Sequence, residues 1–198
     1  MGVSYGTFGS RLVFGDGPTV DIQRRALSAS FEYRLSGAST IGAGLGAGLG
    51  GLFTIGDTRF DVSPGWLVTA TWSRRLVDPV GRKPFLLVGV SGGVSGATTR
   101  QALTRTEAPS ASLYAVDVRV AMTVGKTFFD VLTPYASARA FGGPVFWKYR
   151  DKTLLGSDVY HFQIAVGLVT ALPRGFDVFV DGSPGGERAL TLGVGKSL

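Results

Sequence analysis

The 198-residue sequence predicts an all-β protein, a closed antiparallel up-and-down barrel of about ten strands that spans a membrane. Apolar residues alternate with small or polar ones along most of the chain, which is the periodicity of strands, and helical periodicity is scarce. Most predicted strands have about 10 to 15 residues, longer than the ~5–6 of globular sheets and sufficient for a tilted membrane strand. Hydrophobic residues make up 44% of the chain and charged residues only 17%, yet no stretch approaches the ~20 apolar residues of a membrane helix.

A single domain covering residues 1–198 is predicted, because no linker, composition break or low-complexity segment interrupts the pattern. Cysteine is absent, which excludes disulfides and cysteine zinc sites. The chain opens directly in patterned sequence without a signal segment, so we expect a mature form.

The first five strands are predicted at 3–14, 26–35, 41–50, 66–73 and 85–96. The third has the strictest alternation, since Ile41, Leu45 and Leu49 share a face with two alanines and oppose a row of glycines. We expect those glycines to let the strand curve and to leave room for large side chains opposite. The stretch Gly46–Gly51 matches GxGxxG, but no helix follows it, so a dinucleotide site is not expected.

The last five strands are predicted at 114–124, 134–149, 160–168, 175–181 and 190–195. The sixth strand of the chain shows the pattern best, with Val116, Val118 and Val120 opposed to Asp117 and Arg119. With ten strands both termini lie at one end. The connections at the other end, predicted at 15–24, 54–62, 98–109, 151–157 and 182–186, are expected to be the longer set, as in outer-membrane barrels.

The composition of the polar face predicts which face is directed inward. A soluble barrel would present Lys, Glu and Asp to water, whereas this face is mostly Gly, Ala, Ser and Thr with isolated charges. Small residues between opposite charges suit a narrow lumen, so we expect the apolar face to contact lipid. The predicted polar network lining the lumen consists of Glu32, Arg34, Arg75, Asp117, Arg119, Arg139, His161, Gln163 and Asp177. The alternative is a soluble ligand-binding barrel of the lipocalin type with an apolar cavity.

Aromatic residues near the ends of the predicted strands favour the membrane interpretation. Such residues form girdles at the level of the lipid headgroups. The predicted interface aromatics are Tyr33, Trp66, Tyr114, Tyr135, Trp147, Tyr149 and Tyr160.

In its ten amphipathic strands, its aromatics and its final strand, the chain resembles the small bacterial outer-membrane β-barrel proteins. The resemblance implies an outer-membrane location and recognition of the last strand by the outer-membrane assembly machinery. That family usually ends in Phe, whereas here Leu190, Leu192 and Val194 alternate and the chain ends in Leu198, with Lys196 interrupting the pattern.

No enzymatic activity, cofactor or metal site is predicted. The only histidine, His161, is followed by Phe162 and Gln163, so it does not belong to a His-x-Ser pair of the kind that catalytic sites use. We expect it to be a hydrogen-bonded residue of the lumen or rim. Inward charges must be paired or hydrated. They can therefore plug the lumen or line a very narrow pore. We favour a plug or a very narrow pore because a barrel of about eight strands is just filled by its side chains. A path, if present, would prefer anions slightly.

The net charge of +6 does not indicate nucleic acid, because the basic residues are scattered. Pairs such as Arg24 with Arg25 and Arg74 with Arg75 lie near predicted strand ends. Two interpretations stay open for them: contact with lipopolysaccharide or another anionic lipid, or ordinary solvated charge.

Overall fold

One antiparallel sheet rolled into a closed barrel makes up the protein. The computed structural model describes residues 1–15, 17–79, 83–101, 110–149 and 152–197. Within these ranges thirteen strands are found. They are β1 (Gly2–Phe14), β2 (Thr19–Arg34), β3 (Ser39–Ile55), β4 (Thr58–Val62), β5 (Gly65–Val77), β6 (Phe85–Gln101), β7 (Ala111–Gly125), β8 (Leu132–Gly142), β9 (Val145–Tyr149), β10 (Lys152–Asp158), β11 (Phe162–Leu172), β12 (Phe176–Gly185) and β13 (Arg188–Lys196). Pairing of β1 with β13 closes the ring, which confirms the predicted all-β barrel.

The thirteen strands form a ring of about ten, because three long strands are each interrupted once. The first interruption separates β4 from β5 at Pro64, and the second separates β8 from β9 at Pro144. Proline has no N–H to donate to a sheet ladder, so a strand breaks there. The third interruption separates β10 from β11 at 159–161.

The number of strands around the barrel changes along its axis. We call the end with both termini the terminal end and the opposite end the loop end. Near the terminal end the ring consists of β1, β2, β3, β5, β6, β7, β8, β11, β12 and β13, the ten-strand section. Towards the loop end the ring consists of β1, β2, β3, β4, β6, β7, β9 and β10, the eight-strand section.

The narrowing results from the short hairpin of β12 and β13, which turns at 186–187. Beyond that turn, β10 pairs directly with β1, so that Leu12 faces Asp158 and Phe14 faces Gly156. The barrel therefore loses two strands without opening its sheet.

A bulge in β3 reverses which residues face inward along that strand. Arg24 pairs with Gly51 while Ala26 pairs with Gly48, so two residues of β3 oppose one residue of β2. Gly50 lies in this bulge with a φ of +96°, a conformation that glycine adopts without steric cost. Even-numbered glycines face the lumen before the bulge, and Phe53 faces it afterwards.

The apolar face of the strands is directed outward. Leu45 is 67% exposed, Val118 52% and Val166 57%. Large apolar side chains on every side of a barrel would not be stable in water, so this surface fits a bilayer. The predicted orientation of the apolar face is confirmed. No helix in the described ranges is long and apolar enough to cross a membrane.

The predicted connections at the loop end are too long, because strands extend into all five of them. Residues 54–62 form most of a tight hairpin between β3 and β4, joined at 56–57, and β12 joins β13 through 186–187. Strands continue into the predicted loops because apolar side chains such as Phe60 are buried inside the barrel there. Residues 102–109 and 150–151 lie outside the described ranges.

Candidate functional site

Apolar side chains fill the interior of the eight-strand section. We call this group the apolar cluster; its members are Leu12, Val20, Ile22, Phe53, Phe60, Val62, Ala97, Ala111, Leu113, Val145 and Trp147. Phe53 is completely buried, and its ring centre lies 4.9 Å from that of Trp147. The indole Nε1 of Trp147 donates a hydrogen bond to Thr99 Oγ1 at 3.0 Å. The one polar atom of this large ring is therefore paired in an otherwise apolar interior.

Ionic side chains occupy the interior of the ten-strand section. The guanidinium of Arg139 donates to both carboxylate oxygens of Asp181, at 3.1 and 2.7 Å, and the hydroxyl of Tyr135 donates to the same carboxylate at 2.9 Å. A bidentate pair of this kind is one of the stronger ionic contacts in proteins. Asp181 is 6% exposed, so the pair is shielded from bulk solvent.

Gln163 links this ion pair to a second one. Its side-chain carbonyl accepts from Arg119 and from Arg139, both at 3.3 Å, and its amide donates to the backbone carbonyl of Glu187 at 2.9 Å. Arg119 lies 3.2 Å from the Glu187 carboxylate and 3.5 Å from that of Asp117. We call Asp117, Arg119, Tyr135, Arg139, Gln163, Asp181 and Glu187 the polar cluster.

A cavity of about 380 Å³ touches both clusters. Leu12, Ile22, Leu113 and Val145 line it from the apolar cluster, and most of the polar cluster lines it from the other side. Arg24 of β2 also contributes to its wall. The interior thus changes from apolar to ionic around one cavity.

Seven of the nine predicted lumen residues divide into two groups. Asp117, Arg119, Arg139 and Gln163 meet in the polar cluster. Glu32, Arg34 and Asp177 instead line an open cavity of about 740 Å³ at the terminal end, together with both ends of the chain.

Two members of the predicted network lie outside the lumen cavity. Arg75 is at the terminal rim, where it donates to the Gly37 carbonyl at 2.8 Å and lies 2.7 Å from the Asp78 carboxylate. His161 is exposed, and its Nδ1 lies 3.2 Å from the backbone carbonyl of Phe141. The sequence placed this side chain in the lumen or at its rim with a hydrogen bond, and the structure gives the hydrogen bond at an exposed position, where the chain leaves the regular strand at 159–161. The described residues contain no group of three or more acidic or histidine side chains suited to a metal ion.

Among the predicted interface aromatics, Tyr33, Trp66, Tyr114 and Tyr160 lie on the surface and are 58%, 49%, 50% and 45% exposed. Trp66 and Tyr114 both pair with Gly96 of β6, one from each side, so they lie in one row around the barrel. Their contact with headgroups stays a prediction.

Tyr135 and Trp147 are not interface residues, because both face inward. Trp147 is 4% exposed within the apolar cluster, and Tyr135 hydrogen-bonds to Asp181. On β8 the outward positions are small, including Ala136, Ala138 and Ala140, so the sequence shows no strong apolar face there. The side chain of Tyr149 lies outside the described residues.

Sequence reasoning missed several interior charges. Asp181 lies four residues after the predicted inward Asp177, at the end of the predicted strand 175–181, so its parity alone would have placed it inward. Asp158 and Glu187 fall just after the predicted connections 151–157 and 182–186, and Arg24 falls in the connection 15–24. For Arg24 the sequence left contact with anionic lipid and ordinary solvated charge open, but it is 9% exposed and faces the lumen.

Comparison with known proteins shows the fold alone. No family model matches the chain, and no curated protein matches it. Among solved structures, the chain is similar to the translocator domain of the autotransporter NalP from Neisseria meningitidis, with 13% identity and a TM-score of 0.52 over 100% of this chain and 88% of that one.

Two further solved structures have the same architecture. The outer membrane protease OmpT from Escherichia coli has 10% identity and a TM-score of 0.53, over 98% of this chain and 93% of that one. The β domain of the Bordetella autotransporter BrkA has 12% identity and a TM-score of 0.50, over 100% of this chain and 99% of that one. The chain therefore has the fold of bacterial outer-membrane β-barrels.

Proposed function

We propose that this chain is a non-enzymatic integral outer-membrane barrel whose lumen is closed, and that it acts as a structural or surface-exposed protein rather than as a pore. The observation that carries the proposal is the apolar cluster, which fills the eight-strand section with buried side chains such as Phe53 and Trp147.

The narrowing of the barrel supports closure. A barrel of about eight strands has an interior just wide enough for its own side chains, whereas sixteen or more strands leave an aqueous channel. An ion that crosses the apolar cluster would lose its hydration without gaining a partner, which costs several kcal/mol or more. The ionic residues of the ten-strand section thus line a blind space.

The outer surface supports insertion in a bilayer. Val118 and Val166 are more than half exposed around the ten-strand section, while Arg119 and Gln163 lie inside it. The soluble lipocalin-type alternative requires the opposite arrangement and is not favoured. We further propose that exposed basic residues such as Arg25 contact lipopolysaccharide or another anionic lipid, and that the assembly machinery binds β13.

The absence of enzymatic activity is part of the proposal. Although OmpT shares the fold, fold similarity does not carry its activity to this chain. The exposed His161 hydrogen-bonds to a backbone carbonyl rather than to a nucleophile or a carboxylate. If the protein hydrolyses lipid or peptide, and His161→Ala abolishes that hydrolysis, this part of the proposal fails.

Planar-bilayer recording tests closure. We expect the wild-type protein to insert without discrete conductance steps, because the apolar cluster blocks the lumen. Insertion is checked independently by heat-modifiable migration in detergent gels, which a closed membrane barrel shows. Regular conductance steps from the wild-type protein would contradict the proposal.

A variant pair makes the recording sharper. Phe53→Ala removes a completely buried ring from the cluster, and we expect transient conductance from it. Leu45→Ala, in the same strand but 67% exposed on the outer face, is the matched control and should be as silent as the wild type.

A further inference from the structure

Arg24 is the one cation of the lumen cavity that has no acidic partner among the described residues. It is 9% exposed, and its Nε is completely buried without a hydrogen-bond partner. Arg119 and Arg139, which line the same cavity, each bind a carboxylate. A buried guanidinium without an anion is costly, so its position calls for a partner that the chain does not supply.

The neighbouring strand makes space for this guanidinium. Gly48 of β3 faces the lumen beside Arg24, and a Cβ atom at position 48 would lie 2.8 Å from Nη2 of Arg24. That distance is shorter than a normal contact, so any other residue at 48 would displace the head of the arginine. Arg24 itself faces inward because it has the same parity as Ile22 and Ala26 on β2.

The acidic side chains of the cavity are already engaged elsewhere. Asp117 and Glu187 both pair with Arg119, and Asp158 accepts a hydrogen bond of 2.6 Å from Ser10. Asp181 binds Arg139. An additional anion in the cavity would therefore find a free guanidinium only at Arg24.

Apolar side chains form part of the remaining wall of the cavity, together with hydroxyl groups such as that of Ser10. Leu12, Ile22, Leu113 and Val145 line it, and all four are at most 6% exposed. A volume of about 380 Å³ lies within the range of small-molecule sites, which are ~300–1,000 Å³. The site thus combines one unpaired cation with a partly apolar wall.

We propose that this cavity binds a small organic monoanion. Its carboxylate accepts hydrogen bonds from the guanidinium of Arg24, and its apolar body packs against Leu12, Ile22 and Val145. A carboxylate fits because its two oxygens match the paired N–H groups of a guanidinium. The inference goes beyond the closed barrel and does not depend on silence in bilayers.

Titration of the folded barrel in detergent micelles with benzoate tests this proposal. Benzoate carries a carboxylate on a small apolar ring, and benzamide is its uncharged counterpart. We expect benzoate to shift one arginine Nε–Hε resonance in a saturable manner, and benzamide to bind at least tenfold more weakly. The shifted resonance should be the one that Arg24→Gln removes, and that variant should bind benzoate at least tenfold more weakly than wild type.

Two further variants separate the site from a general effect of charge. Arg25→Gln removes the same charge from the adjacent residue, which is exposed, and should leave benzoate binding unchanged. Gly48→Ala keeps every charge but displaces the guanidinium, and should weaken binding severalfold, so it also serves if Arg24→Gln does not fold.

Three results would overturn the proposal. One is the absence of a saturable shift in the wild type, and another is equal binding of benzoate and benzamide. The third is binding by a folded Arg24→Gln or Gly48→Ala variant that equals that of the wild type.

Discussion

The eight-strand and ten-strand sections of this barrel have similar outer patterning but opposite interiors. The eight-strand section contains aromatic and aliphatic side chains, with Phe53, Phe60 and Trp147 in mutual contact. The ten-strand section contains ion pairs centred on Arg119 and Arg139. Several strands, including β1, β2 and β7, pass through both sections, so the interior chemistry changes within single strands.

The difference shows how the width of a barrel relates to what it can hold. Where ten strands surround the lumen, there is room for extended arginines with their carboxylate and amide partners. Where the hairpin of β12 and β13 ends and eight strands remain, the walls approach and packed rings fill the space. Charges in the narrower section would lose their hydration without room for partners.

The apolar cluster should contribute more to stability than an equal apolar group on the outer face. Phe53→Ala removes a completely buried ring and should lower the free energy of unfolding by about 4 kcal/mol, because the lost contacts leave a cavity. Urea unfolding in lipid vesicles, followed by tryptophan fluorescence, measures this loss. Leu45→Ala on the outer face should cost less than half as much, and equal losses would contradict the comparison.

Loss of the buried ion pair of the ten-strand section should have the second-largest effect on the free energy of unfolding. Asp181→Ala leaves Arg139 buried without its carboxylate and should cost about 3 kcal/mol in the same unfolding experiment. Replacing both partners, as in Arg139→Leu with Asp181→Leu, removes the unpaired charge and should recover part of the loss. If the double variant loses at least as much free energy of unfolding as the two single variants together, the pair does not act as a unit.

A side chain at Gly50 should lower the stability of the protein, because Gly50 lies in the bulge in β3, which changes the set of residues that face inward. Gly50→Ala places a Cβ at a φ of +96°, only 3.0 Å from the Val62 carbonyl, and should cost about 2 kcal/mol. Gly37→Ala is the control, since a Cβ there meets nothing within 4 Å. If both variants unfold at the same urea concentration, the bulge does not depend on glycine.

The smallest effect is expected at a side-chain hydrogen bond within the apolar cluster, the one between Trp147 and Thr99. Thr99→Val removes the oxygen that accepts the Trp147 indole hydrogen bond and should cost about 1 kcal/mol in urea unfolding. Thr98→Val, on the exposed face of the same strand, should change stability by less than the error of the measurement. A larger loss at Thr98 would indicate that outer polar positions matter more than the interior.

Alternation along the strands predicted the fold and the orientation of the faces well. The residues Val116, Val118 and Ile164 were expected outside and are exposed. Asp117, Arg119, Arg139 and Gln163 were expected to form a lumen network and do meet. These predictions are correct because the side of the sheet on which a strand residue lies depends only on its parity along the strand. In addition, a face of small residues with few charges is not typical of a surface in bulk water.

The errors occur where the chain departs from simple alternation. Tyr135 was assigned to the interface, although it lies on a strand whose outward residues are small. Trp147 was assigned to the membrane interface by its residue type, although it faces the interior. Arg24 was assigned to a loop because the strand pattern weakens before Ala26.

The sequence alone determined that the chain is a barrel, which face contacts lipid and which central charges are directed inward, since each depends only on neighbours two residues apart. Tertiary structure decided that the barrel narrows from ten strands to eight, because this depends on β10 pairing with β1 across most of the chain length. The same long-range pairing brings Leu12, Phe53 and Trp147 together and forms the cavity beside Arg24. No local pattern records which distant strands become neighbours.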